Sequence, residues 1–333
     1  MRIAGTRKLL LSLFLAFIVP GILAEHSRAQ SQAVLTRRDV PVHDPSTIVR
    51  DGETFWTFST GIGVSSSRST DLVNWQPGPP VFDPVPEWTQ AAIPRNRNGH
   101  FWAPDIIRLN DRFLLYYSVS SFGDNRSAIG LATSTTLDPD DPDYGWRDEG
   151  PVFQSFEEDD YNAIDPALIV DQNDRLWMSF GSFWGGIQMI ELDRNTGKRI
   201  APDSEIHNLA RNPEIEAPFI YLHDGYYYLF VNWDRCCRGL DSTYNIRVGR
   251  SRSITGPYLD RQGVDMTDGG GSLLLATEGD FIGPGHVGIF PYQGTNWLTV
   301  HFYDGTTERG TSMLGMAQIR WQEDGWPRVF ALP

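Results

Sequence analysis

The segment Asp165-Pro166-Ala167-Leu168-Ile169-Val170, followed by Asn173-Asp174 and then Leu176-Trp177-Met178-Ser179-Phe180, decides the fold. It holds a charged residue, a short apolar run, a turn dipeptide and a second apolar run. That order reads as a β-hairpin with a special residue at the head of its first strand. The same order occurs four more times. Asp44-Pro45-Ser46-Thr47-Ile48-Val49 leads through Asp51-Gly52 to Phe55-Trp56-Thr57-Phe58, and Ala103-Pro104-Asp105-Ile106-Ile107 leads through Asn110-Asp111 to Phe113-Leu114-Leu115-Tyr116-Tyr117. Glu216-Ala217-Pro218-Phe219-Ile220 leads through Asp224-Gly225 to Tyr226-Tyr227-Tyr228-Leu229-Phe230. Gly285-His286-Val287-Gly288-Ile289 leads through Gln293-Gly294 to Trp297-Leu298-Thr299-Val300.

Taking Asp44, Asp105, Asp165, Glu216 and His286 as the heads, the units recur at intervals of about 60 residues, the size of a long propeller blade. Further strand candidates follow the hairpins, such as Ala128–Ala132 and Ile246–Arg250. Three to four strands per unit, without a convincing amphipathic helix, predict an all-β, five-bladed β-propeller. A pair of β-sandwiches would also repeat its strands; the regular spacing favours the propeller. The innermost strand of every blade lines the axis, so the heads, far apart in sequence, are expected to meet at one mouth of the channel.

Composition agrees. The 333 residues include 32 Gly and 22 Pro, which suits many short strands joined by turns. Against 28 Lys and Arg stand 42 Asp and Glu, a net charge of −14. Such a chain lacks the basic footprint needed for nucleic acid or an anionic membrane surface. The two cysteines, Cys236 and Cys237, are adjacent. They exclude a disulfide framework, a zinc ribbon or a cysteine-held iron–sulfur cluster. They are read as either a strained ring between neighbours or free buried thiols.

The first residues read as an address. Arg2, Arg7 and Lys8 precede an apolar run from Leu9 to Val19, and Ser27-Arg28-Ala29 offers small residues for cleavage. This predicts a signal peptide over residues 1–29 and a single catalytic domain over 30–333, secreted or periplasmic, with no membrane association after cleavage. An uncleaved N-terminal anchor is the rival reading, although the run is short for a membrane span. The acidic stretches Asp138–Asp143 and Glu157–Asp160 read as solvated loops, because they lack the spacing of an EF-hand. Asn125-Arg126-Ser127 is a glycosylation sequon.

A single Asp before Pro is ordinarily a turn residue. Three carboxylates at equivalent points of three blades say more. Clustered acids repel, so at least one is expected to keep its proton at neutral pH. A protonated acid facing an ionised base is the equipment for glycoside cleavage, and a third carboxylate can hold the acid in place. Sugars need flat apolar platforms and polar groups for hydroxyls. Trp102, Phe122 and Trp184 are candidate platforms, and Asn162 and Ser182 candidate polar contacts; each could equally be core or rim packing. His43 beside Asp44 reads as a group that positions substrate or base, or as simple packing. His286 reads as a channel-lining histidine or a metal ligand.

Taken together, His43-Asp44-Pro45, Trp102-Ala103-Pro104-Asp105, Asn162-Ala163-Ile164-Asp165-Pro166, Phe180-Gly181-Ser182-Phe183-Trp184-Gly185-Gly186, Glu216-Ala217-Pro218 and Gly283-Pro284-Gly285-His286 resemble glycoside hydrolase family 43. The resemblance spans about residues 38–330 and leans to the endo-α-1,5-L-arabinanase branch through the Phe-Gly-Ser-Phe-Trp-Gly-Gly and Cys-Cys-Arg-Gly stretches. It implies hydrolysis of arabinan with inversion, Asp44 as general base, Glu216 as general acid and Asp165 as the group that orients the acid. Inversion would set the Asp44 and Glu216 carboxyls about 6.5–9.5 Å apart. The resemblance further implies Trp102 and Phe122 as sugar platforms, His286 beside a calcium ion, and a ring between Cys236 and Cys237. The expected partner is an oligosaccharide or polysaccharide, met by a monomer. Alternatives are an exo-acting arabinofuranosidase or β-xylosidase of the same family, and a non-catalytic sugar-binding propeller.

Overall fold

The computed structural model describes Met1 and residues 35–332. The segment assigned to the signal peptide, apart from Met1, lies outside the described residues. Strands form five sheets. Blade 1 comprises Val49–Asp51, Thr54–Ser59, Ser65–Ser69 and Gln76–Pro77; blade 2 comprises His100–Leu109, Arg112–Val119, Ser127–Ser134 and Arg147–Ser155, with Gly61–Ile62 added at its His100 end. Blade 3 comprises Ala167–Val170, Leu176–Phe180, Ile187–Leu192 and His207–Ala210, and blade 4 comprises Ile215–His223, Tyr226–Trp233, Asn245–Ser251 and Ser272–Leu275. Blade 5 comprises Phe281–Tyr292, Thr295–Asp304 and Thr311–Trp321. Its outer edge is completed by Thr36–Pro41 from the start of the fold and by Pro327–Phe330 from its end. This pairing closes the ring, so the five-bladed propeller is the architecture. A short helix, Glu87–Ala92, lies in the connection from blade 1 to blade 2.

The turn dipeptides do what their chemistry allows. In blade 4, His223 pairs with Tyr226 across Asp224 and Gly225, which both have positive φ (47° and 69°). In blade 5, Tyr292 pairs with Thr295 across Gln293 and Gly294 (49° and 74°). Paired positive φ values match the right-handed twist of the strands they join.

Five apolar clusters glue the five sheets face to face. Phe58, Phe101, Phe113 and Tyr117 join blades 1 and 2. Tyr116, Ile129, Met178 and Phe180 join 2 and 3; Met189, Ile220, Leu229 and Val231 join 3 and 4. Phe230, Val248, Leu298 and Phe302 join 4 and 5. Val40, Phe55, Phe290 and Met316 close the circle between 5 and 1. Strands buried on both faces explain the near-continuous apolar runs in the sequence.

The heads repeat in backbone conformation more strictly than in chemistry. Asp44, Ala103, Asp165, Ala217 and His286 all adopt a left-handed φ (50°, 43°, 58°, 52° and 59°). Such a φ costs about 1–2 kcal/mol for a residue with a Cβ. Each head is held by a bond from its N–H. Asp44 donates to His301 Nδ1 (3.1 Å), Ala103 to Thr60 Oγ1 (2.9 Å), Asp165 to Ser118 Oγ (2.9 Å) and His286 to Asn232 Oδ1 (3.0 Å). The acceptor lies on, or just after, the second strand of the preceding blade. Ala217 differs, since its N–H donates to Asp165 Oδ2 at 3.2 Å.

This geometry corrects two expectations. The heads of blades 2 and 4 are Ala103 and Ala217, not Asp105 and Glu216; Glu216 stands one residue before its head. Asp105 lies two residues further along the strand and is buried. Its Oδ1 accepts the Thr47 N–H (3.0 Å) and its Oδ2 the Leu168 N–H (2.9 Å), so it stitches blades 1, 2 and 3 together at the axis.

Candidate active site

A cleft of about 770 Å³ opens over the heads. His43, Asp44, Trp102, Phe122, Asn162, Asp165, Ser182 and Glu216 all line it. His286 lies against Asp44, with its Nδ1 at 3.6 Å from Asp44 Oδ1.

Asp44 stands among histidines. Besides His286, His301 Nδ1 is 3.4 Å from Oδ1 and His43 Nε2 is 3.6 Å from Oδ2; Thr60 Oγ1 donates to Oδ2 at 2.7 Å. Burial would raise the Asp44 carboxyl. His43, then His286 and His301, together with the Thr60 bond, override it and hold Asp44 well below the usual carboxylate range. Burial alone would lower His43, but the Asp44 charge, joined by the Cys237 thiol and the Glu216 charge, outweighs it and raises His43 to about 9. Hydrogen bonding agrees with a protonated ring. Ser312 Oγ gives its proton to the Val42 carbonyl (2.6 Å), so His43 Nδ1–H donates to Ser312 Oγ (3.2 Å). His286 and His301 are lowered, first by burial, and stay neutral.

Glu216 and Asp165 form the opposite kind of site. Burial pushes Glu216 up to about 7, against the pull of hydrogen bonds from Ser182 and Tyr244. Burial, then the charge of Glu216 and of Asp44, raises Asp165 well above the ordinary range. The pair titrates together and keeps at least one proton at neutral pH.

The Gly181–Gly186 loop presents Ser182, whose Oγ donates to Glu216 Oε2 at 2.8 Å. The Phe183 N–H bonds to the Ile215 carbonyl (2.7 Å), fixing the loop beside the start of blade 4. Glycine is required at Gly181 and Gly186. A Cβ there would lie 2.4 Å from the Gly186 carbonyl oxygen and 2.2 Å from the Ala210 carbonyl oxygen. The same logic holds at Gly285, where a Cβ would meet the Tyr244 ring at 2.2 Å.

Aromatic surface rims the cleft. The Trp102 and Phe122 rings lie 4.9 Å apart, and Phe122 is 77% exposed, which no core residue is. Trp102 Nε1 donates to His100 Nδ1 at 3.0 Å. Trp184 exposes 47% of its surface in the same cleft. Asn162, by contrast, is buried, and its Oδ1 accepts from Ser127 Oγ at 2.7 Å.

Cys236 and Cys237 are free thiols in the structure, with Sγ atoms 2.7 Å apart. Cys237 is lowered to about 6, first by the Cys236 hydrogen bond and then by His43. The residues around His286 offer an imidazole nitrogen and the Asp44 carboxylate. They would hold one edge of a hydrated cation rather than form an oxygen cage. The sequon asparagine, Asn125, is buried. Its Nδ2 donates to the carbonyls of Phe156 (3.1 Å) and Asp159 (2.8 Å), so it serves the fold.

Several site residues escaped the sequence. Tyr244, Thr60, His100 and His301 do not sit at heads. Thr60 and His301 lie on or just after a second strand, His100 opens the first strand of blade 2, and Tyr244 precedes the third strand of blade 4, places where one polar residue carries no distinct signal.

A five-bladed propeller carrying an ionised carboxylate and a carboxyl pair that keeps a proton in one aromatic-rimmed cleft defines a carbohydrate-cleaving class of enzyme. The chain belongs to glycosyl hydrolases family 43, whose family model matches residues 39–327. It is 42% identical over 306 residues to an extracellular exo-α-(1→5)-L-arabinofuranosidase of Cellvibrio japonicus, covering 88% of this chain and 87% of that one. It is 40% identical over 294 residues to an extracellular endo-α-(1→5)-L-arabinanase of Bacillus subtilis, covering 86% and 87%. The solved structure of the Cellvibrio cellulosa α-L-arabinanase with arabinohexaose superposes with a TM-score of 0.83 at 42% identity, covering 88% of this chain and 96% of that one.

Proposed function

We propose that the enzyme hydrolyses the α-1,5-linked L-arabinofuranosyl bonds of arabinan by single displacement with inversion, cutting within the chain. The observation that carries this reading is the division of charge in the cleft: Asp44 is held ionised among histidines, while burial pushes Glu216 up to about 7 and the Glu216–Asp165 pair keeps a proton. In this reading Glu216 protonates the leaving oxygen and Asp44 takes a proton from the attacking water. Asp165 positions the acid through the Ala217 amide and through its shared proton. His43, protonated, keeps Asp44 ionised. Trp102 and Phe122 offer faces to sugar rings, and Ser182 aligns Glu216. A calcium ion near His286 would take one imidazole nitrogen and otherwise water, and when bound would add positive charge beside Asp44.

Arabinan as substrate is supported by the Cellvibrio and Bacillus relatives, and by the arabinohexaose complex of a neighbour sharing most of this fold. Export is supported by the N-terminal charge and apolar pattern and by the extracellular relatives; among the described residues no helix is long and apolar enough to cross a membrane. A second reading, end-on attack, is favoured by the exo-acting relative. A product-size time course on linear debranched arabinan, with xylan as control, separates them. Mixed oligomers appear early if cuts are internal, and one short sugar from the start if they are not. Release from xylan alone would overturn the assignment of arabinan.

A further inference from the structure

Four of the five heads hang from an acceptor on, or just after, a second strand, and one acceptor is unlike the rest. Ser118, Asn232 and His301 hold the same register, opposite Trp102, Glu216 and Gly285, each of which stands one residue before its own blade's head. From there Ser118 Oγ takes the Asp165 N–H and Asn232 Oδ1 the His286 N–H, while the imidazole of His301 takes the Asp44 N–H on Nδ1 at 3.1 Å. A ring nitrogen that accepts carries no proton, so His301 is the Nε2–H tautomer. That N–H lies in a fully buried ring and has no hydrogen-bond partner among the described residues, whereas Ser118 and Asn232 leave no such orphan. A buried donor without a partner is destabilising. A smaller acceptor would hold the head without it, so the ring serves some further purpose.

We propose that His301 is a positioning residue for hydrolysis: its ring keeps one oxygen of Asp44 open to the attacking water and fixes the spacing between base and acid. The inference rests on the acid and base roles given above. Asp44 Oδ2 accepts from Thr60 Oγ1 at 2.7 Å and faces His43 Nε2 at 3.6 Å. Asp44 Oδ1 accepts no hydrogen bond among the described residues, and His301 Nδ1 stands 3.4 Å from it. A proton on that nitrogen would be drawn to Oδ1 and occupy it. With Nδ1 engaged by the Asp44 amide, His301 turns an acceptor towards the carboxylate, and Oδ1 keeps its lone pairs for the proton of the water. The ring also stacks on His43, with centroids 4.3 Å apart and planes 29° off parallel, and lies nearly parallel to Tyr244 at 6.0 Å and 15°. His43 sits beside Asp44, and Tyr244 hydrogen-bonds Glu216. One rigid ring thus joins the group next to the base to the group next to the acid. Inversion needs a water held between the two carboxyls, so the rate depends on that spacing.

His301→Asn separates this role from plain support, because asparagine already holds a head in this fold at Asn232. The variant should melt within about 5 °C of the wild type. Its kcat should fall by about 10²-fold on arabinan, with KM nearly unchanged. A dinitrophenyl arabinofuranoside should suffer a similar loss, since the base serves both substrates. Placed on Asp44→Asn, the same substitution should lower activity no further, because it acts through that base. Neutron diffraction from wild-type crystals should show the exchangeable hydrogen of His301 on Nε2 and none on Nδ1, and it decides the matter if the variant fails to fold. Unchanged kcat in His301→Asn, a loss confined to KM, a second full loss on top of Asp44→Asn, or a hydrogen on Nδ1 would overturn the proposal. Full arabinan hydrolysis by Asp44→Asn alone would instead remove the base assignment on which it rests.

Discussion

Ser182 Oγ donates a hydrogen bond to Glu216 Oε2 at 2.8 Å, across the gap between the Gly181–Gly186 loop and the first strand of blade 4. The bond stabilises the carboxylate, so it works against the burial that pushes Glu216 up to about 7. An acid catalyst must be protonated, and activity is lost as pH rises through its pKa. Ser182→Ala removes a stabiliser of the anion and therefore moves the alkaline limb of kcat/KM upward. A net hydrogen bond of about 0.5–1.5 kcal/mol corresponds to roughly half a unit to one unit. A pH profile in which the limb stays or falls would contradict the role of Ser182.

Asp165 touches the reaction through Glu216 and the Ala217 amide. Asp165→Ala leaves a buried N–H unpaired and removes the shared proton, so kcat on arabinan should fall by about 10²-fold or more, within the usual range for general-acid work, with little change in KM. Loss should shrink on a dinitrophenyl arabinofuranoside, whose leaving group needs little protonation. Equal losses on both substrates would mean that Asp165 holds the fold rather than the acid.

Trp102 and Phe122 present ring surface to the cleft while doing little for the core, Phe122 being 77% exposed. Phe122→Ala should raise KM for arabino-oligosaccharides by about tenfold, or about 1.4 kcal/mol, and leave the melting temperature nearly unchanged. Steady-state kinetics beside a thermal melt checks both halves; a large drop in stability with unchanged KM would return Phe122 to packing.

The hairpins were legible because each is written locally: apolar run, turn dipeptide, apolar run. Closure of the ring was not. Thr36–Pro41 pairs with Thr311–Trp321, almost the whole fold away, and no local pattern announces such a partner. Asp44, Asp165 and Glu216 could be read because charged residues interrupt apolar strands at or beside their heads. The heads of blades 2 and 4 could not, since Ala103 and Ala217 carry no sign of the left-handed φ they adopt, and the nearby Asp105 and Glu216 drew the eye instead. His301 and Tyr244 stayed hidden for a similar reason. They reach the site from a second strand and a loop, where one polar residue looks like any other.

Asp105 provides a stability check independent of catalysis. Its two oxygens satisfy the Thr47 and Leu168 amides inside the hub. Asp105→Ala leaves both unpaired, at about 1–3 kcal/mol each. The melting temperature is expected to fall by about 5–10 °C, as a melt by circular dichroism would show. A fall within experimental scatter would mean that the blades do not depend on this stitch.

Assignment of acid and base meets its most direct test in the response of two variants to the leaving group. Glu216→Gln should lose hydrolysis of arabinan by about 10²–10⁴-fold yet retain most of its activity on the dinitrophenyl arabinofuranoside, because only the former needs a proton delivered. Asp44→Asn should lose both. If Glu216→Gln keeps full activity on arabinan, or if it loses the two substrates equally while Asp44→Asn spares the activated one, the assignment of acid and base to these residues is wrong.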